Sequence, residues 1–521
     1  MKNQKVMHLI LVLCIVLTLA FNFIRGGTAQ AISKNILSVA ITTDPKDTDP
    51  RSGYDNFAQS VLYHMYEALT YYNRPGSEKE IGPWLATSWE PNKDKTQWTF
   101  HLRKGVKFHD GTNFNAAAVK YTIENTVAEK MAPAWIYSPV KSMDVVDEHT
   151  IKFTCKAPAQ LDLILSSGFG AWMISPSATN TVKWFNAGNS SGTGPYKFAS
   201  RVPGTRIIME HHKDYWGGWE EGQFTSIIFD IISDVTVREQ MLRSGDIHVA
   251  YELNHDTIES LKKAPGVAVH IEPVFQTYFL EVNFKRPPLD NLKVRQALAY
   301  SFPYKTVIAG VFGGLGTRAS GLIPQNMWGA NPNLAVTQDM AKAKKLLAEA
   351  GHPGGGFSLE LWAQEGNDLY KNIGEIWQPE LAKLGIKLDI RVLSFNTITD
   401  KAANDPEHAF DFMGQDWFPT YVTPTDFFYS VFHTGEFFNF GHYANSKFDD
   451  LVLKADDLTA SDRAGSIELF RQAGKMIADD VGAIFMFDAP QVWTIRDDLE
   501  GFEYSPGYTA AFPYYKLKRK K

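Results

Sequence analysis

A serine-type hydrolase needs its nucleophile on a sharp strand-to-helix turn, and no such elbow is read from the sequence: the bare G-x-S-x-G spacing occurs at Gly188-Asn-Ser-Ser-Gly192, inside a run of turn residues. The thiol beyond the N-terminal segment, Cys155, falls in the alternating run Ile151-Lys-Phe-Thr-Cys155, which is strand patterning, so it reads as structural. Zinc, dithiol and nucleotide chemistry also lack their signatures: there is no H-E-x-x-H, no C-x-x-C and no Walker lysine loop. Gly314-Leu-Gly316-Thr-Arg-Ala319 has part of a dinucleotide turn's spacing but neither the strand before it nor the helix after it, so a surface loop is expected. His211 and His212 are adjacent and would point to opposite faces of a strand, which reads as two exposed histidines rather than a metal pair. Lys516-Leu-Lys-Arg-Lys-Lys521 reads as a solvated basic tail. No catalytic residue, no metal and no cofactor is expected. What is plentiful is aromatic side chains, 13% of the chain, and flat rings serve binding by stacking.

The elements that would position those rings alternate between strand and helix. Ile36 to Thr43 reads as a buried strand, followed by turn chemistry through Asp49-Pro50 and a loop carrying Tyr54. Trp98-Thr-Phe-His-Leu-Arg103 alternates at period two and is punctuated by Lys104-Gly105 and Asp110-Gly111. Asn115 is placed to cap a helix with Val119, Ile123 and Val127 on one face. Thr337 is placed to cap another, with Met340, Ala343, Leu346, Leu347 and Ala350 on one face and Gly351 and Pro353 at its end. No repeat of solenoid or propeller type is present, and the class is mixed α and β.

Composition sets further bounds. The chain is 44% hydrophobic and 21% charged with two cysteines, a globular balance large enough for two to four cores. Its net charge of −6 makes nucleic acid an unsuitable partner. Lys2 and Lys5 precede an apolar run from Leu9 to Ala20, and Thr28-Ala29-Gln30-Ala31 supplies a small-x-small cleavage pattern, so residues 1–31 read as a secretory signal peptide. Removing them takes away three basic residues and no acid, which leaves −9. Cys14 leaves with that segment and no cysteine stands at the cleavage site, so a diffusible periplasmic protein without a lipid anchor or disulfide is expected.

Several ordered segments carry a resemblance. Trp84-Leu-Ala-Thr-Ser-Trp89 is followed by Trp98-Thr-Phe-His-Leu-Arg-Lys-Gly-Val-Lys-Phe-His-Asp-Gly-Thr112, then by Gly192-Thr-Gly-Pro-Tyr-Lys-Phe198, Tyr215-Trp216, Arg243-Ser-Gly-Asp-Ile247, Val294-Arg295-Gln-Ala297 and Ala343 to Gly351. In that order they resemble bacterial extracellular solute-binding family 5, the periplasmic subunits of peptide and nickel ABC importers. Ala117-Ala118 stands where the family usually has Glu-Asp, a position expected to face solvent at a helix start.

The resemblance implies an α/β fold of the periplasmic-binding-protein type II-like, bilobal (Venus-flytrap) kind with an extra third domain. It divides the chain into a first lobe of 32–74, 191–275 and 489–521, an extra domain of 75–190 packed on it, and a second lobe of 276–488. Connections between the lobes are expected near Glu272 to Thr277 and near Phe485 to Pro490. A monomer is implied that binds a small solute and docks on membrane ABC permease subunits powered by a separate ATPase, with no enzymatic activity. A cleft hydrolase, and a chaperone or sensor using the same body, are the competing readings.

In peptide binders of this family an acidic residue three positions after a pocket Trp pairs with the peptide's free ammonium. Here Trp417 is followed at that spacing by Thr420, which brings no charge, and Asp416 is the nearest substitute. A peptide remains the expected class, with opines, oligosaccharides and a nickel or other metal chelate as alternatives. The ligand-binding residues implied are Tyr54, Trp135, Tyr137, Phe395, Asp416, Trp417, Thr420, Tyr421 and Phe487.

Overall fold

The computed structural model describes residues 35–73, 79–366 and 368–520; the expected signal peptide lies outside them. Ile36–Ile41 is buried at every position but the first, as befits a strand covered on both faces. It runs through the middle of a seven-stranded sheet, parallel to Ser226–Ile231 on one side and Val249–Ala250 on the other. The full order is Val267–Glu272, Gln491–Arg496, Val249–Ala250, Ile36–Ile41, Ser226–Ile231, Arg206–His211 and Tyr196–Val202.

A second sheet of six strands has the order Thr317–Arg318, Ala483–Asp488, Thr277–Val282, Phe412–Trp417, Ser358–Gln364 and Lys387–Leu393. Its last three strands are mutually parallel, so their carboxyl ends emerge on the same edge. The chain passes from the first sheet to the second between Glu272 and Thr277 and returns between Asp488 and Gln491. The two passes lie side by side, because Glu272 pairs with Gln491 in one sheet and Thr277 with Asp488 in the other. Phe485 lies inside the strand Ala483–Asp488, not in the connection.

A four-stranded antiparallel sheet, Ala86–Pro91, Gln97–Leu102, Thr150–Cys155 and Val140–Asp147 in register order, forms a third body. Trp98, Phe100 and Leu102 alternate inward and join Val106 and Phe108 in its core. The Asn115 side chain accepts the Ala118 N–H and caps Ala116–Ala128, with Val119 and Ile123 buried. Val127, expected on the same face, is 47% exposed, and Ala118 is buried while Ala117 faces solvent. The second cap belongs to Asp339, whose carboxylate accepts the Lys342 N–H, and not to Thr337.

Other sequence expectations are corrected by packing. His212 is buried, its ring edge-on to His109 at 5.2 Å, and only His211 keeps partial exposure. The basic C-terminal run is no free tail: Lys518–Arg519 pairs with Leu499–Glu500, Lys518 bridges to Glu220 and Arg519 to Asp498. Thr317 and Arg318 form an edge strand rather than loop. Cys155 is buried, and burial pushes its thiol up to about 11.

Glu67 ties the four-stranded body to the seven-stranded sheet. Its carboxylate, 1% exposed, accepts the indole N–H of Trp84 at 2.8 Å and of Trp216 at 2.9 Å, the Tyr215 hydroxyl at 2.9 Å and the Thr193 hydroxyl at 2.7 Å. Burial raises its pKa while the four donors pull it back. Glu67→Leu would leave these donors without their acceptor, and a loss of about 3 kcal/mol or more is expected from the urea midpoint. An unchanged midpoint would show that water replaces the carboxylate at no cost.

Candidate functional site

Three parallel strands of the six-stranded sheet end beside one another, and the cavity of interest opens at their carboxyl ends, where open α/β sheets bind ligands. Its volume is about 330 Å³. Gln364 closes one strand, Met413 to Trp417 another, and Phe395 follows the third. Helix Asp368–Ala382 contributes Tyr370, and the loop after Phe432 contributes Phe438. The opposite wall is Tyr54 and Asp55, on the loop that follows the central strand of the seven-stranded sheet. The cavity therefore has walls from both sheets' bodies.

Four residues expected from the sequence meet here: Tyr54, Phe395, Asp416 and Trp417. Trp417 packs edge-on against Phe438, ring centres 4.9 Å apart. Asp416 sits at the strand end with its carboxylate accepting the Gln276 side-chain amide at 2.7 Å and the Tyr370 hydroxyl at 3.4 Å. Gln276 is in the first crossing between the sheets, so a connecting residue holds the cavity's carboxylate directly. No Lys, Arg or His among the described residues acts on Asp416, and burial raises its pKa above the ordinary carboxylate value. The Tyr370 phenol is pushed well up by burial and by this same carboxylate.

Thr420 is not in the wall. It is 3% exposed, its hydroxyl is hydrogen-bonded to that of Tyr54, its carbonyl accepts the Ser167 hydroxyl at 2.7 Å, and its N–H donates to Asp426. Phe418 packs on Phe169 at 5.3 Å beside it. These contacts clasp the loop after Trp417 against the opposite body. Asp426, which also accepts the Ser430 hydroxyl at 2.9 Å, is pushed up to about 6 by burial.

The remaining expectations fall outside the cavity. Trp135 and Tyr421 pack on one another at 5.8 Å, and Tyr421 borders a different hollow that includes Asp456. Tyr137 is a core residue of the four-stranded body, 2% exposed, its hydroxyl donating to the Gly170 carbonyl at 2.8 Å. Phe487 is fully buried between Tyr278 and Phe312. Both were drawn to the site by sequence position and are held in the core by apolar packing.

The sequence reading missed Asp55, Gln364, Tyr370, Gln415, Phe418 and Phe438. One signal was present: Gly414 interrupts an otherwise side-chain-rich strand, and a Cβ there would run into the Tyr370 ring. No group of three or more His, Cys, Asp or Glu side chains able to hold a metal occurs among the described residues.

Residues 80–439 match the model for bacterial extracellular solute-binding proteins, family 5 (Middle). The chain belongs to this family. A probable D,D-dipeptide-binding periplasmic protein of Escherichia coli, DdpA, is 28% identical over 505 residues, covering 94% of this chain and 95% of its own. A dipeptide-binding protein from a Pseudoalteromonas species, solved with Met-Leu, superposes with a TM-score of 0.80 at 23% identity, covering 93% of this chain and 100% of the other. CtaP of Listeria monocytogenes, an ABC transporter substrate binding protein, gives a TM-score of 0.82 at 22% identity over 93% of this chain and 99% of its own. The fold is the bilobal α/β type read from the ordered motifs.

Gly414→Ala forces Tyr370 away from the strand. A loss of about 1–3 kcal/mol is expected in the denaturation midpoint; no change would mean that the ring swings aside freely.

Proposed function

We propose that this protein is the solute-binding subunit of an ABC importer and captures a peptide, or a peptide-sized solute with a free ammonium, in the cavity between its two lobes. The observation that carries the reading is Asp416: a carboxylate at the cavity floor with two neutral donors and no cation. A desolvated carboxylate in that state gains more from an incoming ammonium than a surface one would. Its placement takes over the task that Thr420, committed to Tyr54, is not free to perform. The family membership and the dipeptide-binding names of relatives support a peptide-like ligand.

Capture works by differential contact. Tyr54 and Asp55 belong to one body and Asp416 and Trp417 to the other, so a ligand touching both favours the closed arrangement and swings the lobes about the paired crossings. The closed monomer then docks on membrane permease subunits driven by a separate ATPase. Residues 1–31 direct the chain to the periplasm as a cleaved signal, and the cavity binds its solute without transforming it. Deleting the gene and measuring uptake of the solute that copurifies tests this role; undiminished uptake would sink it.

Two measurements bear on the site. Trp417→Ala should weaken binding by at least about 1 kcal/mol, the worth of one aromatic stack, in calorimetry on the folded variant. Ammonium binding needs Asp416 ionised, and its pKa in the free protein is raised. Affinity should therefore fall as pH is lowered, starting above the ordinary carboxylate range, for a ligand whose own ammonium stays protonated. Asp416→Asn should flatten that pH profile, and a profile identical to wild type would remove Asp416 from the role.

A further inference from the structure

The charges around the cavity are one-sided. Two carboxylates, Asp55 and Asp416, line it, and no Lys, Arg or His does so among the described residues. Lys46 acts on Asp55 from an exposed position outside the lining. A backbone donor at the start of helix Asn56–Leu62, which could have met an anion, is answered by the chain itself: the Asp55 carboxylate accepts the Ala58 N–H at 2.9 Å. The Gln364 amide and the unpartnered Trp417 indole N–H remain as donors, both neutral. On the acceptor side there is surplus. Gln415, 8% exposed, borders the cavity and carries a buried, unpartnered side-chain oxygen, in addition to Asp416. Rings of Tyr370, Trp417 and Phe438 complete the walls, and ring faces attract cations.

A zwitterionic peptide would bring its terminal carboxylate into this space. That group would be stripped of water close to two like charges with no cation to receive it, an unfavourable exchange on both counts. A ligand with the ammonium but without the carboxylate meets only favourable groups. We propose that the cavity selects for cations that carry no free carboxylate: an amine with an apolar body, or a peptide whose C-terminus is amidated or otherwise masked. This rests on the cavity being the solute site and names the class of solute it takes.

The test is calorimetry with one dipeptide, leucyl-leucine, in four forms: free, C-terminally amidated, N-acetylated, and blocked at both ends. It is run alongside 2-phenylethylammonium and 3-phenylpropanoate. The amidated form should bind about tenfold tighter than the free form or better, the scale of one charge-assisted contact. Neither acetylated form should bind, and the phenylethylammonium should outcompete the phenylpropanoate. Asp416→Asn, isosteric with the wild type, should bring the amide down to the level of the free dipeptide. A free dipeptide that binds as tightly as its amide overturns the inference and leaves the peptide reading intact. Binding of phenylethylammonium with no dipeptide form bound supports the inference and overturns the peptide reading. Silence from all six compounds overturns both.

Discussion

Two short stretches of backbone, 273–276 and 489–490, carry the chain between its sheets, and they run beside each other because each is flanked by paired strands on both ends. That paired ribbon fixes where the two bodies meet, and the contacts of Thr420 with Tyr54 and Ser167 hold the loop after Trp417 against the opposite body. The carboxyl ends of the second sheet's parallel strands lie against the loop after the first sheet's central strand, and the cavity is the space so enclosed. Gln276, inside the ribbon, donates to Asp416, so the crossing and the cavity's charge share a hydrogen bond.

Buried acids in this molecule divide by how well they are answered. Glu67 has four neutral donors converging on it and fastens two bodies together. Asp426 holds a backbone N–H and a hydroxyl, shaping the loop that Tyr54 and Ser167 clasp. Asp416 has a single short hydrogen bond and a long one and faces open space. Desolvation raises the pKa of all three, but only the last is left with capacity for a cation.

The site was legible in part. Trp417 and Asp416 were reached through one aligned segment, and Tyr54 and Phe395 through segments that the family resemblance brings to the cleft; the folded chain sets both beyond the ends of strands. Tyr137 and Phe487 were reached through the same resemblance, but their side chains pack into cores, and segment position alone does not fix that direction. Tyr370 and Phe438 belong to a helix and a loop remote in sequence from Trp417, and no local pattern marks them. The caps show the same limit at short range: Asn115 was correctly placed, while Thr337 and Asp339 are two residues apart and only the folded backbone chose Asp339.

Sequence alone determined the family, the alternation of strand and helix, and the inward face of Trp98, Phe100 and Leu102, because period, turn residues and ordered motifs are local properties of the chain. It also determined that Thr420 brings no charge. Tertiary structure decided that Asp416 faces the cavity without a cation, that Thr420 is spent on Tyr54, and that the apparently free basic end is tied to Asp498 and Glu220. Those outcomes depend on which distant groups are brought within a few ångströms, and charge compensation is a property of that neighbourhood rather than of any stretch of sequence.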